Sequence, residues 1–493
     1  MKRICISAFI SIAGNIFLPN LNAQTQQLDL FKCIGIASDS SLQAFRARNM
    51  YLSSYWEYRS FKAARLPAVS LRMTPVQYNR NITKRYNYNE NIEAYRTQQS
   101  LNMSGSLSIS QNFDLTGGTF ILDSDLGYMR NYGENTFIQF SSVPFRLGYS
   151  QSLFGFNSFK WEKKIEPLKF EKAKKQFTYQ YEEIAENTVL YFFDYILAEK
   201  EYEMALENIL ATDTLYNIGL DRRKISAISQ VDILTLELDI INADNTLKSA
   251  KWNLKASKKT LAIYLNLEGD FDLSIPEIPR KINIQEEDAL SYAKEYNPDY
   301  VQYRQEIWEA EREVDRTKKT TLFDASVSAS IGFNQAADNF SGAYRKPLQQ
   351  DIMSVSLTIP ILDWGIRKGK ANIAKNNLNI VKVSILQNEQ NLEQEIILAI
   401  DNFNIQQDLI DSSKKALSLS KSAYQITKDR FAIGKSDLSS LTLSLSRYKE
   451  AQRNYLSALK NYWISYFKIR KLTLYDFEKN RPIDVEIDKK LEF

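Results

Sequence analysis

Histidine is absent from all 493 residues, which removes the commonest general base and the commonest side-chain metal ligand. Most hydrolase, triad and zinc chemistries fall with it. Cysteine is nearly absent, with Cys5 in an N-terminal leader and Cys33 alone beyond it. Neither an internal disulfide nor a thiolate cluster can be assembled from that. No charge sign dominates: 63 basic and 59 acidic residues give +4, and removal of Lys2 and Arg3 would leave +2. So balanced a chain offers no electrostatic reason to bind nucleic acid. Beyond the leader there is also no run of roughly 18 consecutive apolar residues, the length a membrane helix needs. That excludes a spanning helix but not a membrane β-barrel, whose alternating strands escape hydropathy.

What is present begins with an export signal. Lys2-Arg3 precedes the mostly apolar stretch Ile4 to Leu18, and Leu21-Asn22-Ala23 before Gln24 forms a small-residue cleavage site. Gly14, Asn15 and Pro19 break the apolar run, which argues against an anchor helix, and Lys32 before Cys33 is unlike a lipoprotein signal. Residues 1–23 are therefore read as a signal peptide. An exported bacterial chain of this kind is periplasmic, secreted, or a barrel in the outer membrane.

The mature chain alternates between two periodicities. In Ile352 to Ile359, Met353, Val355, Leu357 and Ile359 alternate with Ser354, Ser356 and Thr358, the period of a two-faced strand. Pro360 then removes a ladder donor and Gly365 permits an unusual backbone turn, so strand gives way sharply to helix. Further strands are expected around Val69 to Thr74, Leu101 to Ser110, Phe120 to Tyr128, Phe145 to Ser150 and Ser326 to Phe333. Serine recurs on their polar faces, which suits a wall between water and lipid, or equally the strands of a soluble β-sandwich. The polar stretches Gln77 to Ser100 and Asn334 to Gln350 are expected as loops.

Helical patterns fill the remainder: Gln24 to Leu66, Phe154 to about Leu215, Gln230 to about Leu267, Glu287 to Thr320 with a break at Asn297-Pro298, Gly365 to Phe431, and a return helix ending near Leu474. At 1.5 Å per residue, some 60 helical residues reach ~90 Å, far beyond globular needs. Ile396, Phe403, Ile410, Leu417, Tyr424 and Phe431 recur every seven residues, a supercoiling seam. Turns are expected at Ile218-Gly219 to Ser229 and at Ile433 to Asp437. The order helix, strands, long helix, turn, return helix occurs twice, an internal duplication with halves at 24–280 and 281–475 and a charged tail at 476–493. The matching points lie 324 − 67 = 257 and 360 − 152 = 208 residues apart, and the strand alternation is out of phase at the first spacing.

Several motifs in this order resemble the TolC-type outer-membrane efflux family. They are Pro360-Ile361-Leu362-Asp363-Trp364-Gly365, Asn297-Pro298-Asp299 within a helix, Arg430-Phe431-Ala432-Ile433-Gly434, and Tyr448 to Tyr462 with Ala451 and Ala458. Leu115-Thr116-Gly117-Gly118 and Lys160-Trp161-Glu162-Lys163-Lys164 depart from the best-known members and point to a branch with an enlarged first half. The resemblance implies a mainly α fold with a β part. A homotrimer would share a transmembrane β-barrel, four strands per chain, above a periplasmic α-barrel of coiled-coil-like helices.

The function implied is an exit duct without cofactor or catalysis, working with a periplasmic adaptor (a membrane fusion protein) and an inner-membrane pump of RND, ABC or MFS type. Six alternating segments are present here, leaving two to be placed. Asp232 resembles one acidic pore-entrance residue. In the second half Ser440 stands at the equivalent position, with Asp437 about one turn earlier. Gly219, Arg430 and Gly434 mark the tips that would meet the adaptor. Read without the resemblance, Asp232 and Asp437 are first-turn carboxylates that begin helices. A periplasmic coiled-coil scaffold or adaptor with a soluble β domain is the competing architecture. Acidic runs such as Glu182-Glu183 and Glu286-Glu287-Asp288 read as solvated helix faces rather than catalytic pairs.

Overall fold

The structure is a computed structural model that describes residues 26–87, 91–132, 136–224, 229–277, 280–321, 323–432 and 435–483. The expected signal peptide, Gly434 and the last ten residues lie outside them. In chain order the elements are β1 (Gln26–Leu28), α1 (Leu30–Ser40), α2 (Leu42–Ala63), β2 (Ala68–Asn87), β3 (Ile92–Phe113), β4 (Gly118–Tyr132), β5 (Phe137–Leu153), α3 (Ser158–Lys224), α4 (Gln230–Leu265), β6 (Phe271–Leu273), α5 (Glu286–Tyr296), α6 (Pro298–Thr320), β7 (Asp324–Ala337), β8 (Leu348–Thr358), α7 (Ile366–Ala432), α8 (Leu438–Thr473), β9 (Tyr475–Asp476) and β10 (Arg481–Pro482). No helix among the described residues is long and apolar enough to cross a membrane.

Four expectations about strands, loops and turns are corrected. The chain does not enter directly as helix: Gln26–Leu28 pairs in parallel with Phe271–Leu273, placing a strand where a linker was expected. The polar stretch from Gln77 to Ser100 is mostly a hairpin, with Gln77–Asn87 paired to Ile92–Asn102. Polar residues interrupt the face that carries Tyr78, Ile82, Tyr86, Tyr95 and Leu101, so no clean apolar alternation marked the ribbon as strand. Part of the second expected loop is also strand, since β7 runs to Ala337 and β8 starts at Leu348. Finally, α3 continues through Gly219 to Lys224, so Gly219 is helical rather than part of the turn.

Helix boundaries follow local chemistry. Asn297 accepts from the Asp299 N–H at 2.8 Å and Pro298 occupies the first helical position, where its missing donor costs nothing. The same Asn297 is fully buried and donates to the Leu472 carbonyl at 2.7 Å. α3 and α7 have 67 residues each, and α4 and α8 have 36 each. Their starts lie 366 − 158 = 208 and 438 − 230 = 208 residues apart. Upstream, α2 and α6 start 298 − 42 = 256 residues apart, and β2 and β7 start 324 − 68 = 256 apart. The even spacing of 256, in place of the expected 257, brings the strand faces into phase.

Two compact units divide the chain. One holds the described residues of 26–44, 184–281 and 406–464. Its core includes Leu28, Leu30, Cys33, Phe192, Phe193, Ile196, Leu261 and Leu265, with Phe31 edge-on to Trp463 at 5.4 Å. Burial, aided by Asp29, pushes the Cys33 thiol up to about 12, so it packs as a small inert hydrophobe.

The other unit holds 45–183, 282–405 and 465 onward, and contains the large sheet. Its helices pack through Ala47, Tyr51, Phe177 and Tyr181 and through Phe403 against Tyr466. Glu182, expected on a solvated face, is instead buried and held bidentately by Arg470, with both bonds at 2.9 Å. Arg470 also reaches Asp476 at 3.1 Å, fastening the start of the expected tail, where β9 pairs with β10. Replacing Arg470 by Ala strands two buried carboxylates and is expected to cost about 3–5 kcal/mol. The urea midpoint of the purified chain measures it, and Arg470→Lys, a point charge without the planar fork, restores only part.

Candidate functional site

Six strands form one antiparallel sheet in the order β2-β3-β4-β5-β7-β8. Directly paired residues share a face, so the register sorts the side chains. Val69 pairs with Ile109, Ile109 with Leu122, Leu122 with Leu147, and Leu147 with Ile331. On the same face lie Leu71, Met73, Leu107, Leu126, Phe145, Phe333, Met353, Val355 and Leu357. This apolar face crosses every strand and is open, with Leu71 66% exposed, Leu147 43% and Val355 62%. The opposite face carries Ser70, Ser104, Ser106, Ser108, Ser110, Ser150, Ser326, Ser328, Ser330, Ser354 and Ser356.

Within the serine face sits a charge cluster absent from the sequence expectations. Arg146 donates from Nε to Asp123 at 2.8 Å and from Nη2 to Asp125 at 3.4 Å. The sequence signal was two carboxylates at i and i+2 between Leu122 and Leu126, a polar parity within a strand. Beside Arg146, β5 and β7 approach so closely that a β-carbon on Gly332 would lie 2.6 Å from the Phe145 carbonyl.

At the strand–helix junction the chain turns sharply. After β8, Trp364 and Gly365 turn the chain with φ of 55° and 89°, the region that favours glycine. Asp363 organises the turn: its carboxylate accepts from the N–H of Gly365 at 3.2 Å and of Arg367 at 3.0 Å, and from the Arg367 guanidinium at 2.5 Å. Arg367 reaches back to the Pro360 carbonyl at 3.1 Å. Ile361, Leu362 and Trp364 point outward, 93%, 67% and 87% exposed. The first-half counterpart uses different chemistry. Phe154 takes the positive φ of 60°, and Asn157 caps α3 through Lys160 N–H while donating to the Asp114 carbonyl.

At the other helix ends, Asp232 and Ser229 form a reciprocal capping box on α4, with Asp232 N–H donating to Ser229 Oγ at 3.2 Å. Asp437 accepts from the Ser440 N–H at 2.7 Å, so these two expected site residues meet at the start of α8. Hydrogen bonds from Ser229 and from Ser440 hold the two carboxyls below their ordinary range. Arg430 lies in the last turn of α7, its carbonyl accepting from Lys435 N–H at 2.8 Å. Gly219 packs under α4, where an added β-carbon would meet Leu236 Cδ1 at 2.7 Å. Among the described residues no group of histidine, cysteine and carboxylates could hold a metal ion.

Foremost the Arg367 side chain, then its N–H, holds the Asp363 carboxyl down to about 2. A depressed carboxylate stabilises above its unfolded pKa and loses that contribution as pH falls through the folded one. The first turn of α7 is therefore expected to keep its hydrogen-exchange protection at neutral pH and to lose it on acidification from about 4 toward about 2. Asp363→Asn should weaken that turn at neutral pH and flatten the acid dependence.

Residues 289–473 match the family model for the outer membrane efflux protein. The Campylobacter jejuni CmeC outer membrane channel aligns at TM-score 0.67 and 15% identity, over 94% of this chain and 88% of that one. The open state of the Neisseria gonorrhoeae MtrE outer membrane channel aligns at 0.60 and 15%, over 90% and 88%. The Vibrio cholerae outer membrane protein VceC aligns at 0.59 and 12%, over 90% and 95%. No curated protein sequence matches the chain. At such identities the structures speak to fold, and it is the matched segment, running from α5 to the end of α8, that is similar to the outer membrane efflux protein family.

Proposed function

We propose that this protein is the outer-membrane exit duct of a tripartite efflux or type I secretion system, passing cargo by passive conduction. The observation that carries this reading is the sheet's apolar face, present on all six strands. Returned to lipid, each large side chain there recovers about 1.5–3 kcal/mol relative to water. The serine face then lines an aqueous lumen, and the exposed Trp364 suits the lipid–water boundary at the helix end of the sheet. A single open sheet has two unpaired edges, which membranes do not tolerate, so closure calls for further copies of the chain, three in the family that the sequence resembles. On α7 a second stripe, Leu398, Ile405, Leu419 and Ile426, repeats at multiples of seven and is 57–63% exposed, a seam fit for a neighbouring copy. The equal helix lengths and the common 208-residue spacing support descent from an internal duplication.

In this reading a periplasmic adaptor packs its helices against the tips near Gly219, Arg430 and Gly434, and an RND, ABC or MFS-type pump supplies cargo. Asp232 and Asp437 double as helix caps and as rings of negative charge at the pore entrance. Asn retains a capping oxygen without the charge, so Asp232→Asn with Asp437→Asn should lower single-channel cation selectivity while helicity persists. Unchanged selectivity leaves them as caps alone. The duct also predicts a heat-modifiable oligomer extracted by detergent with the outer membrane. Release by osmotic shock would instead mark a periplasmic scaffold.

A further inference from the structure

We infer that all six strands form the membrane wall, so that three copies close an eighteen-stranded barrel, 3 × 6, by pairing β8 of one copy with β2 of the next. This rests on the duct reading above. The sheet region of the first half is 48 residues longer than that of the second: 158 − 68 = 90 from β2 to α3, against 366 − 324 = 42 from β7 to α7. Those additional residues do not hang from the sheet. They lie within it, because β3 and β4 are bonded on both sides, to β2 and β5 as well as to each other.

Three features favour incorporation. Even the shortest strand, β8, has 11 residues, enough to cross the hydrocarbon when tilted. The apolar face continues through Leu107 and Ile109 on β3 and Leu122 and Leu126 on β4, with Ser124 opposite Leu107 as its one hydroxyl on β4 there, so a wall omitting this hairpin would leave the same face in water. Lastly, the edges match. β2 leaves the helix end of the sheet and β8 returns to it, so β8 against a neighbouring β2 is antiparallel, like every pair within the chain. The β2 edge is the longer, with 20 residues, and its outer part continues past the sheet as a ribbon with β3.

Barrel diameter grows roughly in proportion to strand number, and barrels of about 16–18 strands enclose an open aqueous channel. The wall here would have 18/12 = 1.5 times the circumference expected from four strands per chain. Such a lumen sets no size limit for small solutes and admits bulky polar cargo, polypeptide included, leaving constriction to the helices.

The test uses the full chain in washed outer membranes, on a Cys33→Ala background, with a membrane-impermeant maleimide. Leu107→Cys and Leu122→Cys report β3 and β4, Leu147→Cys and Val355→Cys report β5 and β8, and Tyr95→Cys on the outer ribbon serves as the exposed reference. All four sheet positions should react many-fold more slowly than Tyr95→Cys. Rapid labelling of Leu107→Cys and Leu122→Cys, with Leu147→Cys and Val355→Cys protected, overturns the six-strand wall and leaves the duct standing. Labelling of all four overturns both. Electron microscopy of the detergent-extracted protein without sheet substitutions gives an independent answer: eighteen strands sustain the inference, and twelve with the hairpin outside defeat it.

Discussion

Cross-strand register is the constraint on which the rest of this protein depends. Side chains alternate with a period of two, so a slip of one residue between any two of the six strands would turn one strand's apolar set toward the serines. The observed pairing carries Val69, Ile109, Leu122, Leu147 and Ile331 along one row, and Leu357 with Ala325 along another. One side of the sheet can therefore be lipophilic while the other is hydroxylic. The duct proposed above rests on that sorting.

Holding the register takes local irregularity. The pairing shifts between Thr74 and Gln77, between Asp123 and Asp125, and between Ser142 and Phe145. Each bulge changes which parity joins the apolar face: in β5 that side takes Phe145, Leu147 and Tyr149 below the shift and Ile138 and Phe140 above it. Pro75 and Pro144 fall inside two of these shifts, where a missing backbone donor breaks no ladder bond.

The same irregularity explains how much of the fold was legible in the sequence. Strands with a clean two-residue period, such as Met353 to Leu357, are plain, as are the long helices and the Asp363-Trp364-Gly365 turn. The outer halves of β2, β3 and β5 are less so. A bulge resets the parity in β2 and β5, and beyond Gln77 the β2–β3 ribbon has polar residues on both sides. Glu182 was misread for a different reason: its partner Arg470 lies 288 residues away, and a charge run gives no hint of a distant guanidinium. The tip residues were locatable, yet their capping bonds satisfy a structural role as fully as a functional one, so sequence position alone could not apportion Asp232 and Asp437.

In the proposed duct, the ion cluster on the serine face has a consequence for what can pass. Through its middle rows that face carries Arg146 against Asp123 and Asp125, with Arg72 two strands from Asp125 in the same row, so the charges are two of each sign. Neighbouring opposite charges cancel within a Debye length, about 8 Å at physiological ionic strength. A passage so lined is wet and hydrogen-bonding but nearly without a standing potential. Anionic, cationic and neutral molecules would then meet much the same wall, and any preference between them must be imposed before they enter it.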